Sequence, residues 1–215
     1  MTIQEIYKKY KIMPILQIHQ LKVAAVAKII CDSIPNFDET REVVTTCLLH
    51  DMGNIIKFDL GYFPDSVEPE GLEYWEKVQN EYIQKYGRDE HHATQMIIAE
   101  LLNSEKIMDY ANQVGFSKLQ ETKKDKSLAK KICAYSDMRV GPHGVISIQE
   151  RVADGRKRYE GRRDRAINFD TFSVVVDALK EVERQVCGVS NMKPGDITDD
   201  VADKIAEELK NFEIV

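Results

Sequence analysis

Apolar residues recurring at steps of three and four, with few helix breakers between them, confine most of this chain to α-helix. From Pro14 to Cys31, the positions Ile15, His19, Val23, Val26 and Ile30 fall on one face, and Pro14 suits a first turn. Val43, Cys47 and His50 share a face of a second helix, predicted from about Asp38 to His50 with Asn36 or Asp38 as cap. Further helices are predicted over about 72–86, 89–103, 104–114, 127–139, 170–186 and 198–211. Ser147-Ile148-Gln149-Glu150 matches a capping box and opens one more, to about Tyr159. Only 11 glycines and 6 prolines occur in 215 residues, which agrees with helix throughout. The expected fold is all-α, a bundle of about eight to ten helices in a single domain, 1–215, with no strand beyond a hint at Val145-Ile146.

The stretches between helices are short, with one exception. Phe58 to Gly71 holds Gly61, Pro64, Pro69 and Gly71 and reads as a long loop, a candidate lid. Residues 117–126 are Lys-rich and expected at the surface, Gly141-Pro142-His143-Gly144 is a turn, and Gly188 to Gly195 is a linker.

Charge and cysteines narrow the function classes. A net charge of −6 argues against a general binder of long nucleic acids or anionic membranes. Residues 151–165 run against this, with seven basic and three acidic side chains. The four cysteines, Cys31, Cys47, Cys133 and Cys187, lie far apart with no C-x-x-C, so buried free thiols in a reducing compartment are expected. The polar N-terminus lacks the apolar core of a signal peptide, and Lys28 interrupts the apolar run Val23 to Ile30. A cytoplasmic protein without a membrane partner is the expectation.

Chemistry points to a few residues. His50 and Asp51 are adjacent where a helix ends; side chains that diverge by about 100° within a helix can converge there on one ion. His19 lies on the apolar face of the preceding helix, and Asp137 near the end of a later one, four residues after Cys133. Two imidazoles and two carboxylates suit a borderline divalent cation with positions left open for water and substrate. Taken singly, each residue also fits a blander role: a core histidine, a helix cap or an ion pair.

The order His19, His50-Asp51, Asp137 on helices resembles the HD-domain superfamily of metal-dependent phosphohydrolases, with its H…HD…D signature. His19-Gln-Leu-Lys-Val23-Ala24, Cys47-Leu-Leu-His50-Asp51-Met-Gly53-Asn54, Glu90-His91-His92 through Leu102, and Tyr135-Ser136-Asp137-Met138-Arg139-Val140 are similar to successive motifs of that family. The likeness spans roughly 12–160. It implies a metal-site core over about 12–165, with C-terminal helices over about 166–215 packing on it.

The resemblance also implies roles. His19, His50, Asp51 and Asp137 would bind a divalent ion (Mn, Fe, Co, Ni, Zn or Mg), which would hold a substrate phosphate and activate water. Asn54 stands where many members carry a charged residue; its amide can bind phosphate or water but cannot act as a base. Lys57, one turn on, is a candidate replacement cation, and Arg139 a candidate phosphate clamp. Asp51, His91 and Glu90 are the acid–base candidates. His91 is expected at the substrate phosphate or a weak second ion, with His92 beside it or at the surface. His143 reads as an exposed turn residue. The expected activity is hydrolysis of a phosphate ester of a small metabolite such as a nucleotide. Two alternatives stay open: a di-iron oxygenase, which needs more histidine ligands than the chain offers, and a non-catalytic module that binds a phosphorylated ligand.

Overall fold

In the computed structural model, the backbone of residues 1–61, 64–160 and 169–215 is described; side chains of 62–65 and 157–171 lie outside the described residues. The all-α expectation holds. Eleven α-helices are present among the described residues, against the eight to ten expected, with a single two-stranded hairpin.

The central element is α2 (Pro14–Asp32), which starts on Pro14 as the sequence suggests. By length and composition it is the one described helix apolar enough to cross a membrane. Here it forms the middle of the bundle, with Val23, Ala24, Val26, Ala27 and Ile30 fully buried. Its first turn departs from the expected stripe, because Ile15 stays 38% exposed. α3 (Thr40–Leu49) and α8 (Leu128–Met138) pack against α2 and against each other. The alanines and valines at these faces let three backbones approach closely, and dense interdigitated packing of this kind tolerates little change in volume. α3 begins later than expected and without a side-chain cap; Asn36 instead takes a left-handed conformation (φ 57°).

The two helices beyond the expected set are short ones stabilised by burial. α1 (Ile3–Lys9) is capped reciprocally: Glu5 Oε2 accepts from Thr2 N at 2.9 Å and Thr2 Oγ1 from Glu5 N at 3.4 Å. Ile3, Ile6 and Tyr7 are fully buried, and Tyr7 donates its hydroxyl proton to Leu48 O at 2.7 Å. α7 (Leu119–Thr122) lies in the segment expected at the surface, yet Leu119 and Thr122 are fully buried.

The remaining helices follow the predicted spans. α4 (Leu72–Tyr86) and α5 (Glu90–Leu102) embrace a 3-10 turn at Asn54–Lys57, and α6 (Glu105–Ala111) closes on α3 and α8. Trp75 and Tyr82 of α4 are core residues. The candidate lid contains a 3-10 turn, Pro64–Val67, with Val67 O accepting from Trp75 Nε1. The lid expectation for Tyr62–Asp65 lies outside the described residues.

After α8 the chain makes the hairpin β1 (Val140–Gly141) and β2 (Gly144–Val145), pairing Val140 with Val145. Ser147 and Glu150 form the expected capping box of α9 (Ile148–Glu160). α10 (Phe169–Cys187) packs on α7, α8 and α9. Of the basic run 151–165, Lys157 to Arg165 lie outside the described side chains.

α11 (Asp199–Leu209) returns to α2 and β2. There, Asp199 Oδ1 accepts from Lys22 Nζ at 2.8 Å and from Val145 N at 2.9 Å, while Asp203 also pairs with Lys22 at 2.8 Å. Gly144 (φ +133°) sits so close to the Asp199 carboxylate that a Cβ would collide with it. Asp199→Ala should therefore destabilise the fold by about 1–2 kcal/mol, through the unpaired Val145 N–H and the weakened Lys22 pair. Asp199→Asn, which keeps an acceptor, should lose less. Thermal unfolding followed by circular dichroism distinguishes the two.

Candidate metal centre

His50 ends α3. Its Nδ1 lies 2.8 Å from Cys47 O, so Nδ1 donates its proton there and Nε2 is the ring nitrogen turned toward the cluster. That Nε2 is buried and has no hydrogen-bond partner. Around it stand Asp51 Oδ2 and Asp137 Oδ1, each at 3.6 Å. His19, from the middle of α2, places Nε2 3.2 Å from Asp137 Oδ1 and 3.7 Å from Asp51 Oδ2. One ligand atom each of His19, His50 and Asp51 lies within 4.8 Å of the others. The two rings are 5.4 Å apart and tilted by 55°, so they do not stack.

The His19–Asp137 separation of 3.2 Å is that of neighbouring ligands around one ion, and the other three, 3.6–3.7 Å, lie a little above it. Donors about 2.1 Å from a divalent metal sit roughly 3.0–3.4 Å apart when neighbouring. A buried ring nitrogen without a hydrogen-bond partner is costly unless a proton or a metal ion occupies it. His19, His50 and Asp51 could thus hold a divalent ion, with Asp137 beside both imidazoles, once His50 Nε2 gives up its proton.

Local structure explains how adjacent residues converge. After His50 the chain leaves the helix through Asp51-Met52-Gly53. Gly53 presses onto the first turn of α5: a Cβ there would collide with Glu90 O and lie 2.7 Å from Ala93 Cβ. Gly53 N donates to Thr94 Oγ1 at 2.9 Å. Only glycine permits this close approach, which brings the start of α5 beside the Asp51 corner.

That corner carries a rim. Lys57 Nζ is 3.4 Å from Glu90 Oε1, and His91 Nε2 is 3.8 Å from the same oxygen. His91 is 62% exposed and His92 is exposed too. Asn54 is buried at the start of the 3-10 turn, its N–H donating to Asp51 O. His143 is exposed in the hairpin, as expected for a turn residue.

Arg139, expected to clamp a phosphate, is engaged elsewhere. It is 3% exposed, and its guanidinium donates to Ile146 O, Tyr135 Oη and Pro194 O. Tyr135 in turn donates to Glu183. A guanidinium bound in this way ties α8, the hairpin and the 188–196 linker together and has no free face for a substrate.

Two supporting residues escaped the sequence reading. Gln20 is fully buried, and its Oε1 accepts from Asp51 N at 3.2 Å. A polar residue inside an apolar helical face was the available signal. Tyr7, under the end of α3, belonged to the unforeseen α1; the pattern Thr2-x-x-Glu5 followed by buried Ile6 and Tyr7 was the signal there.

Residues 16–139 match the family model of the HD domain, and His19, His50, Asp51 and Asp137 all fall inside the match. The chain belongs to the HD domain family. No curated protein and no solved structure matches it. HD domains form a superfamily of metal-dependent phosphohydrolases, and the His/Asp cluster in this member suits a metal. The HD match ends at Arg139, so the hairpin and α9, α10 and α11 lie beyond it.

Electrostatics govern how an ion would enter. Burial disfavours the charged form of His50, but the Asp51 and Asp137 carboxylates outweigh it and raise its pKa to about 9. Burial likewise works against the Asp137 carboxylate, yet the His19 and His50 imidazoles hold it well below the usual carboxylate range. Without metal, His50 is therefore protonated at neutral pH, and an ion must displace that proton. Metal affinity should rise with pH up to about 9 and then level off. At pH 7, calorimetry in buffers of different ionisation enthalpy should show close to one proton released per ion. Elemental analysis should find no bound metal in His50→Ala or Asp51→Ala; unchanged metal content in both would overturn the ligand assignment.

Proposed function

We propose that this chain is a divalent-metal-dependent phosphohydrolase that hydrolyses the phosphate ester of a small metabolite, with nucleotides the first class to test. The observation that carries the reading is the buried, unpartnered Nε2 of His50, facing Asp51, Asp137 and His19. The residues that would hold the ion are His19, His50, Asp51 and Asp137. When bound, a divalent ion polarises the phosphoryl group and makes water nucleophilic near neutral pH.

The chain's own residues would do the rest. The Lys57 ammonium, exposed on the rim, offers a cation to non-bridging phosphate oxygens. Glu90 holds that ammonium toward the start of α5 and orients the His91 imidazole. His91, solvent-facing and on the same rim, is suited to pass a proton to the leaving oxygen. The Asn54 amide can hydrogen-bond water or phosphate. His92 on the same turn is a further contact for the substrate's remainder. The exposed rim and the net charge of −6 favour a small phosphorylated partner over long nucleic acids or membranes.

The test is a panel of phosphorylated metabolites assayed for phosphate release with Mn, Co, Ni and Mg. Metal-stimulated hydrolysis of at least one small ester, lost in Asp51→Ala, is the expected result. Lys57→Ala should raise KM roughly tenfold, the equivalent of one charge-assisted contact of about 1.4 kcal/mol. Wild-type protein that binds metal but turns over no ester under any of the four ions would count against the activity.

A further inference from the structure

Gln20 stands beside His19 on α2, and its side chain is fully buried. Its Oε1 accepts the main-chain N–H of Asp51 at 3.2 Å. Its Nε2 is buried and has no partner. A buried amide that leaves one donor unsatisfied costs stability. A hydrocarbon of the same shape would fill the space without that cost. The acceptor end is therefore where the side chain contributes.

That acceptor joins the two halves of the centre. Asp51 is reached by a chain that has just left α3, where the helix no longer holds its N–H. Gln20 replaces the missing helical acceptor, and it does so from the helix position next to His19. One side chain thus sets where the Asp51 corner sits relative to His19, across the α2–α3 interface. We propose that Gln20 is a positioning residue of the metal centre, holding the Asp51 main chain so that the His50-Asp51 corner meets His19 at ion-binding distance. This rests on the metal-binding reading above and adds a residue that touches neither ion nor substrate.

The experiment titrates metal-free protein with Co(II), following both affinity and the visible absorption bands, which report ligand geometry independently of turnover. Wild type, Gln20→Leu, Gln20→Glu and His50→Ala are compared at a temperature where circular dichroism shows each one folded. Gln20→Leu removes the acceptor at nearly constant volume. It should weaken Co(II) binding about tenfold and alter the band pattern. Gln20→Glu keeps an oxygen facing Asp51 N and should bind no more than about threefold more weakly than wild type, with wild-type bands. Wild-type affinity and spectrum in Gln20→Leu would overturn the inference. Equal weakening in Gln20→Leu and Gln20→Glu would overturn it too, because the loss would then come from packing. Co(II) binding by wild type and not by His50→Ala shows that the metal reading stands whichever way Gln20 falls; no binding by wild type removes both.

Discussion

Two imidazoles and two carboxylates from α2, α8 and the corner after α3 come together, each imidazole within 3.2–3.7 Å of both carboxylates, and the packing of these elements keeps them there. His50 Nδ1 is anchored to Cys47 O, so the opposite nitrogen must face Asp51 and Asp137. Such a cluster is expensive to bury, and burial is opposed group by group within it: the carboxylates hold the His50 proton, and the imidazoles hold the Asp137 charge. The small residues of α2 let α3 and α8 approach closely enough for the cluster to form. Gly53 then turns the chain against α5, which no side chain would allow.

Support for the centre extends past the HD match, which ends at Arg139. The hairpin that follows Asp137 is tied back twice. Arg139 binds Ile146 O and Pro194 O from below, and Asp199 binds Val145 N while pairing with Lys22, one turn beyond His19. The last helix thereby joins the strand after Asp137 to the helix bearing His19. The rim has a looser character. Lys57 and His91 lie 3.4 and 3.8 Å from Glu90 Oε1 with substantial exposure, and such contacts are weak in water.

Much of this was legible beforehand because helical periodicity reports burial directly. Steps of three and four located α2, α4, α5, α8 and α10, and the apolar phase put His19 inside. His50-Asp51 at a helix end stood out as a pair that geometry could turn inward. The failures have a common cause. Arg139 is two residues from a ligand, but which way a guanidinium points depends on carbonyls of Ile146 and Pro194 that only the folded chain supplies. α1 and α7 are too short to show periodicity and exist because tertiary contacts bury Ile6, Tyr7 and Leu119.

By itself the sequence determined the helical class, the family and the identities of the four ligand-type residues, since each depends on residue type and spacing along one helix. Tertiary structure alone decided that the four come together, that His50 turns Nε2 toward the carboxylates, that Lys57 pairs with Glu90, and that Gln20 accepts from Asp51 N. Those facts depend on how separate helices pack, and packing is set by the summed shape of many side chains, which no local pattern encodes.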